Sequence, residues 1–250
     1  MNLYLSRILL NPRSRRAMSE LLHPYEMHRT LMRAFPDTGN KNPGDAREEF
    51  GVLFRTETSA KADGTVKIYV QSLAEPDWSF LDRIDGYLDS RAGVSYEYKD
   101  VMPVLDKIRK GNRFAFRLRA NPTKRIGNRE DPMKGKRVEL FREEEQIQWL
   151  LRKSNEREKG LPGGFALLME KGNDGPCCPV KVRPEGKMTG RRGKGEGKSM
   201  TTHLSVLFEG LLEVTDERAF LQTVVRGIGS AKAFGFGLLS LAPASVLRKE

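Results

Sequence analysis

NLYLSRILL, residues 2–10, begins the series of elements that decides the fold. Its apolar residues first alternate and then run together, which is typical of a β-strand, and Asn11-Pro12 ends that strand. Helices are predicted next at 13–22 and, because proline is tolerated in the first turn of a helix, at 23–35. The elements that follow are predicted to be strands at 51–57 and 66–74, a short helix at 78–84 and a strand at 94–98.

RFAFRLRA, residues 113–120, begins a second series in the same order. It alternates with a period of two, so apolar residues share one face and arginines share the other. The remaining elements of this series are predicted to be helices at 143–157 and 216–226 and strands at 165–170, 204–214 and 236–241. Strand, helix, strand, strand, helix, strand is the ferredoxin-like pattern. We therefore predict an α+β chain of two tandem ferredoxin-like (RRM-like) βαββαβ domains, at 1–103 and 111–250.

The charge of the chain is unevenly distributed. The formal net charge is +11. Residues 101–200 hold 25 Lys plus Arg against 13 Asp plus Glu, whereas the other 150 residues hold 19 against 20. A regional excess of this size favours a surface for polyanions such as nucleic acid, although a generally solvated basic face is the alternative. We therefore expect the second half of the chain to carry a phosphate-binding surface.

The rarer residue types and the hydropathy exclude several classes of function. The two cysteines are adjacent, at 177 and 178, so they do not supply a tetrahedral zinc site and are expected to be reduced thiols. No carboxylates or histidines are clustered at metal-ligand spacing, so we expect neither a metal nor another cofactor. No apolar run approaches the ~20 residues that cross a bilayer, and no signal peptide is evident. We expect a cytoplasmic protein with no membrane contact.

Among the three histidines, His23, His28 and His203, the second has the most suggestive surroundings. A helical wheel places Tyr25, His28 and Arg29 within one arc, opposite an apolar stripe. This pattern predicts that the three side chains face solvent or a ligand, where they could transfer protons and neutralise a phosphate. An exposed histidine on an amphipathic helix is also common as an ordinary surface residue, so the pattern alone leaves both interpretations open.

Two glycine-rich segments have no single interpretation from composition. GKMTGRRGKGEGK, residues 186–198, lacks the apolar side chains needed to order itself, so it is either a mobile hairpin tip that binds a polyanion or a dispensable insertion. GIGSAKAFGFG, residues 227–237, could hold a phosphate with backbone amides around Gly229 and with Lys232, or could simply be a tight connection. It lacks the Lys-Ser/Thr ending of a P-loop, so nucleotide hydrolysis is not expected.

Basic residues also cluster around Asn121-Pro122 and along a predicted strand near 181. Lys181 and Arg183 alternate, so both are expected on one face of that strand, where they could follow a phosphate backbone. Ordinary strand exposure is the alternative. The candidate polyanion-binding residues that these patterns give are Arg29, Arg119, Lys124, Arg125, Lys136, Arg137, Lys181, Arg183, Arg191, Arg192, Lys194, Gly229 and Lys232.

Several collinear motifs resemble the CasE family of CRISPR repeat-processing endoribonucleases. In the first half these are LLNPR at 9–13, HPYEMHRTL at 23–31 and EPDW at 75–78. In the second half they are FRLRANPTK at 116–124, GKR at 135–137, LFEG at 207–210 and the glycine-rich segment from 227 to 241. The resemblance spans nearly the whole chain and departs from the family pattern mainly at 186–198.

The resemblance implies a function and a set of site residues. Members of this family have two ferredoxin-like domains, bind the hairpin of the repeat RNA and cut at its 3′ base without a metal. They leave a 2′,3′-cyclic phosphate and a 5′-hydroxyl, and then stay bound to the product among the other Cascade subunits. The catalytic tyrosine and histidine of the family match Tyr25 and His28, a basic residue one turn later matches Arg33, and the groove-binding hairpin matches the neighbourhood of Lys181 and Arg183.

Two other classes of protein fit parts of the sequence. A non-catalytic RNA-binding scaffold of two RRM-like domains would normally carry an aromatic signature on a central strand, and no good copy is present. A membrane-surface protein would need an apolar amphipathic anchor, which is also lacking. The sequence therefore favours a metal-independent endoribonuclease whose partners are the CRISPR repeat hairpin and other Cascade subunits, with no DNA contact predicted for the isolated chain.

Overall fold

The structure of the chain is a computed structural model. It describes residues 1–37, 39, 47–59, 64–91, 93–127, 135–155, 163–172, 175–177, 179–192 and 199–244. At 170–172, 175–177, 191, 192 and 199 it describes the backbone and not the side chain. Two compact units can be distinguished, and each is described below by itself.

The first unit comprises Met1–Lys107, Met188–Thr202 and Ala231–Leu238. It contains a four-stranded antiparallel sheet in the order β2-β3-β1-β4, which is the ferredoxin-like order. Its strands are β1 (Tyr4–Leu10), β2 (Leu53–Thr58), β3 (Val66–Ser72) and β4 (Tyr96–Asp100). Its helices are α1 (Arg15–Leu22), α2 (Pro24–Met32), a 3-10 helix (Ser79–Arg83) and α3 (Met102–Leu105). The predicted elements of the first series are therefore confirmed, and the short helix expected at 78–84 is a 3-10 helix.

Local signals in the sequence explain where α1 and α2 begin. Ser14 caps α1, since its side chain accepts a hydrogen bond from the backbone N–H of Ala17. Pro24 occupies the first turn of α2, where its missing N–H has no consequence. Met27 and Leu31 of α2 are fully buried in the core beside Ile8 of β1, as the predicted apolar stripe requires.

A buried carboxylate ties α1, α2 and the loop before β4 together. Glu20 accepts hydrogen bonds from the Tyr87 hydroxyl at 2.6 Å, the Thr30 hydroxyl at 2.9 Å and the Arg16 Nε at 3.0 Å. Burial, reinforced by the hydrogen bond to Glu20, raises the pKa of Tyr87 well above its usual value. The phenol therefore stays protonated and donates, so the network holds α2 in a fixed position.

The second unit comprises Ile108–Lys187, His203–Ser230 and Leu239–Glu250. Its main strands follow the order β11-β12-β5-β13, and β8 also pairs with β12, so the ferredoxin-like order occurs again. These strands are β5 (Arg113–Ala120), β8 (Phe165–Leu167), β11 (Lys181–Arg192), β12 (Ser199–Val214) and β13 (Leu239–Pro243). The helices are α4 (Glu143–Ser154) and α5 (Glu217–Arg226), the latter capped by Asp216. The predicted α+β class with two ferredoxin-like folds is confirmed.

The alternation predicted for β5 is present in the structure. Leu118 is fully buried, while Arg113 and Arg117 lie on the other face. In the register with β12 these two arginines stand opposite Glu213 and Glu209, and each pairs with the opposite carboxylate at 2.7 Å. These arginines therefore form cross-strand ion pairs within the sheet.

Two small hairpins were not predicted from the sequence. β6 (Thr123–Ile126) pairs with β7 (Lys136–Glu139), and β9 (Glu170–Gly172) pairs with β10 (Gly175–Cys177). β6 and β7 are too polar and too short to show an apolar alternation. Such polar strands pair through backbone hydrogen bonds, and the hydrophobic pattern of the sequence does not predict these bonds.

The expectation that 186–198 forms a mobile tip or loop is wrong for its first part. Residues 186–192 belong to β11, and β12 begins at residue 199. Residues 193–198, including Lys194, lie outside the described residues. Because β11 is a neighbour of β12 in the sheet, backbone hydrogen bonds supply the order that the side chains of this segment do not.

The domain boundaries stay a prediction. The first compact unit begins with Met1–Lys107, close to the predicted domain 1–103, but it also includes segments from the second half of the sequence. Within the part of the chain that is described, no helix is both long and apolar enough to cross a membrane.

The Glu20 network makes a stability prediction. We expect Glu20→Gln to lower the free energy of unfolding by about 2 kcal/mol, because buried hydroxyl donors lose a charged acceptor. The matched control is Glu26→Gln, which removes an exposed ion pair with Arg29 and should change the value by less than ~0.5 kcal/mol. Urea unfolding followed by circular dichroism measures both. Equal values for the two variants would contradict a structural role for the network.

Candidate active site

His28 is buried in the first unit. Only 2% of the residue is exposed, and its ring stacks on Phe54 of β2, with centroids 6.2 Å apart and ring planes 8° from parallel. His28 is therefore not exposed to solvent together with Arg29, and the alternative, that His28 faces a ligand, stays a prediction. The helical wheel placed His28 at the edge of the polar arc, and β2, which is distant in sequence, packs over that edge.

The environment of His28 favours its neutral form. Burial, with a smaller contribution from the positive charge of Arg47, lowers the pKa of His28 from 6.5 to about 4. Its Nδ1 atom is buried and has no hydrogen-bond partner among the described residues. Such an atom costs roughly 1–3 kcal/mol and is the exception in folded proteins. A neutral imidazole with an unused nitrogen is able to accept a proton or a hydrogen bond from a ligand.

Tyr25 lies one helical turn before His28 and joins it in an aromatic group. The ring centroids of the two residues are 6.2 Å apart, and the Tyr25 ring lies 6.0 Å from that of Phe234. Tyr25 is half-buried, so its phenol is more accessible than the imidazole. The predicted pair Tyr25 and His28 is therefore adjacent, but the pair packs among rings that the helix pattern did not reveal.

The backbone of β11 approaches this aromatic group at Gly190. A Cβ atom added there would lie 2.5 Å from a ring carbon of Phe234 and 3.3 Å from the Cβ of Tyr25. Contacts below 3.0 Å are essentially never found for real Cβ atoms, so only glycine fits without displacement of the rings. The glycine-rich composition of this strand therefore has a local steric cause at residue 190.

The segment 231–238, which carries Phe234, includes a 3-10 helix (Lys232–Phe234). Gly235 has φ of 81°, and a Cβ atom there would lie 3.2 Å from the Phe54 ring that stacks on His28. Ala231 also has a positive φ, 58°, which is unfavourable for a residue with a side chain. Lys232, one candidate residue of the glycine-rich stretch 227–237, begins this 3-10 helix. Gly229, the other candidate, belongs to the second unit and lies against the ring of Trp149.

Arg55 holds the segment 231–238 beside β2. It is a buried charge, 3% exposed, and its guanidinium donates to Glu57 Oε1 from Nη2 at 2.6 Å and from Nε at 3.0 Å. Its Nη1 also donates to the carbonyl oxygen of Leu238 at 3.4 Å. Because Arg55 follows Phe54 directly, this pairing restricts the strand that carries the ring against His28. Arg47, Phe54, Arg55 and Phe234 were missed as site residues because no local motif connects them to α2.

The basic residues near α2 are exposed. Arg29 pairs with Glu26 at 2.9 Å, and the guanidinium carbon of Arg33 lies 4.6 Å from the centre of the Phe80 ring. Both remain positively charged and accessible to an anion. Their proposed contacts with RNA stay a prediction.

The candidate basic residues of the second unit differ in their surroundings. Arg119 is only 11% exposed and makes two hydrogen bonds to Glu185, at 2.6 and 2.9 Å. Burial acts to raise the pKa of Glu185, but the hydrogen bonds and charge of Arg119 bring that pKa below its ordinary value. Lys124 pairs with Glu145 at 2.8 Å at an exposed position. Arg119 therefore has a structural partner, whereas the pair of Lys124 is open to solvent.

The remaining candidates lie on two hairpins. The register of β6 and β7 places Arg125 opposite Arg137 on one face and Ile126 opposite Lys136 on the other, so these three cations and Lys124 are divided between the two faces of one small hairpin. Lys181 and Arg183 are both exposed on β11, as the predicted alternation requires. Arg191 and Arg192 are in the same strand, and their side chains are not described. Within the described ranges, no group of three or more His, Cys, Asp and Glu is placed to hold a metal ion.

The fold and the site define a class: an α+β protein with two ferredoxin-like sheets and a buried histidine next to a half-buried tyrosine. A family described as CRISPR associated protein matches residues 3–243. The chain belongs to this family, and the resemblance seen in its motifs is confirmed.

Two relatives and one solved structure support the assignment to this family. The chain is 39% identical over 244 residues to the CRISPR-associated endoribonuclease Cse3 of Thermus thermophilus, covering 96% of this chain and 100% of the relative. It is 32% identical over 247 residues to the CRISPR system Cascade subunit CasE of Escherichia coli, again covering 96% and 100%. A solved structure of the CRISPR endoribonuclease Cse3 bound to a 19-nucleotide RNA matches with a TM-score of 0.72 and 38% identity, covering 97% and 100%.

Burial of His28 makes a prediction about stability and pH. Because the pKa of His28 is 6.5 ordinarily and about 4 in the folded chain, the folded protein binds fewer protons between these values. The contribution of His28 to stability is therefore complete above pH 6.5 and is lost as pH falls towards 4, by about 3 kcal/mol at most.

Urea unfolding at neutral pH and near pH ~4.5 tests this expectation. His28→Gln should remove most of the decrease in the free energy of unfolding that the unchanged protein shows between neutral pH and pH ~4.5. His23→Gln, at an exposed position where the imidazole only contacts the carbonyl oxygen of Ser19, should keep it. If His28→Gln and the unchanged protein lose the same stability on acidification, the imidazole is not buried in its neutral form.

Proposed function

We propose that the chain is a metal-independent endoribonuclease that processes CRISPR repeat RNA. In this proposal it binds the hairpin of the repeat and cleaves at the 3′ base of the stem. The products are a 2′,3′-cyclic phosphate and a 5′-hydroxyl, and the chain stays bound to the mature RNA as a subunit of Cascade. The observation that carries the proposal is the buried Nδ1 of His28, which has no partner among the described residues, beside Tyr25, in a chain of which 97% matches the structure of an RNA-bound endoribonuclease.

The reaction needs two proton transfers and no redox step. The 2′-oxygen attacks the phosphorus atom and its proton passes to a base, while the bond from phosphorus to the 5′-oxygen breaks and that oxygen receives a proton. Holding the 2′-oxygen in line with the leaving oxygen supplies a large part of the rate. One acid–base group typically contributes on the order of 10² to 10⁴.

His28 is suited to take the 2′-hydroxyl proton. Burial keeps the ring neutral, so a nitrogen lone pair is available, but a pKa of about 4 also makes the free imidazole a weak base. A phosphate held beside the ring would raise that pKa, because the negative charge favours the protonated form. We assign to Tyr25, whose ring centroid lies 6.2 Å from that of His28, the role of sharing or orienting the proton through its hydroxyl.

Positive charge near the site would stabilise the phosphorane. Arg29 and Arg33 are exposed on or directly after α2. Each keeps a guanidinium at the protein surface, where it can offset charge that develops on the phosphate oxygens. We assign them this neutralising role and leave proton transfer to His28 and Tyr25.

The RNA stem would be held through its phosphates by cations of the second unit. Lys181 and Arg183 share an exposed face of β11, and Arg125, Lys136 and Arg137 share the small hairpin. A-form RNA is recognised mainly by shape and by backbone contacts, which suits strands that carry charge and few stacking rings. The regional charge excess found in the sequence supports this assignment.

A single-turnover assay with EDTA tests the chemistry. We expect cleavage of a repeat hairpin that has a 2′-hydroxyl at the cut site and none of the same RNA with deoxyribose there. His28→Ala should slow cleavage by about 10² to 10⁴ with RNA affinity preserved. His23→Ala, the matched control, should cleave at the rate of the unchanged protein.

Two outcomes would contradict the proposal. Tight binding without cleavage of either RNA would point to the RNA-binding scaffold. Cleavage that stops with EDTA would mean that the reaction needs a metal ion.

The salt dependence of RNA binding tests the role of β11. The logarithm of affinity should fall linearly with the logarithm of salt concentration, and each lost phosphate contact should reduce the slope by about 0.9. Lys181→Gln with Arg183→Gln should therefore flatten the slope by nearly 2. Lys99→Gln with Lys107→Gln removes two exposed charges from the first unit and should leave the slope unchanged. Equal slopes for the two double variants would remove β11 from the RNA surface.

A further inference from the structure

Phe141 is an exposed aromatic residue with no role in the core of the second unit. It lies two residues after the end of β7 and two residues before α4, and 62% of the residue is accessible to solvent. Leaving a phenylalanine side chain exposed to water forgoes roughly 2 kcal/mol of the stabilisation that its burial would provide. Exposed single apolar residues are common, so exposure alone assigns nothing to this ring.

The immediate neighbours of Phe141 are charged. The Nζ atom of Lys187 lies 5.7 Å from the centre of the Phe141 ring and 3.9 Å from Oε2 of Glu139. The other carboxylate oxygen, Oε1 of Glu139, accepts a hydrogen bond from the backbone N–H of Leu204 at 2.6 Å. Glu139 is therefore fixed to β12, and it holds the lysine over the ring. A cation over an aromatic face contributes about 0.5–1 kcal/mol at an exposed site.

The strand that leads to Phe141 continues this positive charge. Arg137 lies two residues before Glu139, on the same face of β7, and stands opposite Arg125 in the register with β6. On the second face of this hairpin, Lys136 pairs in register with Ile126, and Ile126 is also exposed. The exposed ring of Phe141 is therefore connected to the cations of this hairpin by a few residues along the chain.

We infer that Phe141 is a stacking platform for one unpaired nucleotide of the bound RNA, with Lys187 and Arg137 contacting the phosphates that flank it. The inference rests on the proposed function, because it needs an RNA ligand. Surfaces that bind single-stranded nucleic acid combine a cationic track with aromatic rings, on which any base can stack. The charged setting disfavours an apolar protein partner, because charged residues are depleted in the buried centre of protein interfaces.

This platform is separate from the stem contacts assigned to β11. Lys181 and Arg183 carry charge and no ring, which suits a paired stem whose bases are not exposed. Phe141 offers a ring, which is of use only where a base is unstacked. The repeat RNA would therefore be held by charge along its stem and by stacking at one unpaired position.

The test compares two RNAs that share one stem and loop, with unpaired flanks and without them. Phe141→Ala should weaken binding of the flanked RNA about 5- to 150-fold, since stacking of one base is worth ~1–3 kcal/mol. It should leave binding of the blunt stem unchanged. Phe141→Trp, which keeps a stacking surface, should bind the flanked RNA within about twofold of the unchanged protein. Met169→Ala, at another exposed apolar position of this unit, should bind both RNAs normally.

A fluorescent base locates the nucleotide. 2-Aminopurine placed at each unpaired flanking position in turn should be quenched on binding at one position, and Phe141→Ala should abolish that change only.

Three outcomes would overturn the inference while leaving the proposed function standing. The first is normal binding of the flanked RNA by Phe141→Ala. The second is an equal loss on the blunt stem, which would assign the ring to the stem surface. The third is normal RNA binding combined with failure to join other Cascade subunits, which would make Phe141 a protein contact. If the unchanged protein binds neither RNA, the proposed function itself has failed, and this result is distinct from all three.

Discussion

Each unit depends on one central strand that carries antiparallel ladders on both edges. β1 pairs with β3 and β4, and β5 pairs with β12 and β13. A strand bonded on both sides satisfies all of its backbone groups, so it can bury side chains such as Ile8 and Leu118 completely. The crossover after each central strand then has to return to the far edge of the sheet. In the first unit, that return places α2 against the core and brings β2 within contact of His28.

The active-site region follows from this placement. His28 packs on Phe54 because α2 buries Met27 and Leu31, and the same rotation of the helix turns the imidazole under β2. Its neutral state is thus a product of tertiary packing, since burial is the main cause of its low pKa. The buried guanidinium of Arg55 forms an ion pair with Glu57, and this pair stabilises the backbone of β2 next to Phe54. The candidate site thus combines a buried nitrogen that has no partner among the described residues with neighbours held by close ion pairs.

The basic residues divide into two kinds by their partners. Arg113 and Arg117 face carboxylates in the cross-strand register, and Arg119 is largely buried on Glu185, so these three stabilise the sheet. Lys181 and Arg183 are exposed on β11 and are suited to an external anion. A count of charges along the chain cannot separate these kinds, because the separation is made by strand register.

The main helices and strands, the ferredoxin-like class and the position of Tyr25 and His28 on one helix could be predicted from the residues alone. These properties depend on short-range periodicity, capping and motif spacing, which are present in the residues themselves. Long-range packing was needed to bury His28 against Phe54 and to bring Phe234 and Gly190 against Tyr25. These contacts join residues up to about two hundred positions apart, and no local pattern encodes which distant strand will cover a given face of a helix. The polar β6–β7 hairpin was missed for a related reason, since its pairing is made by the backbone.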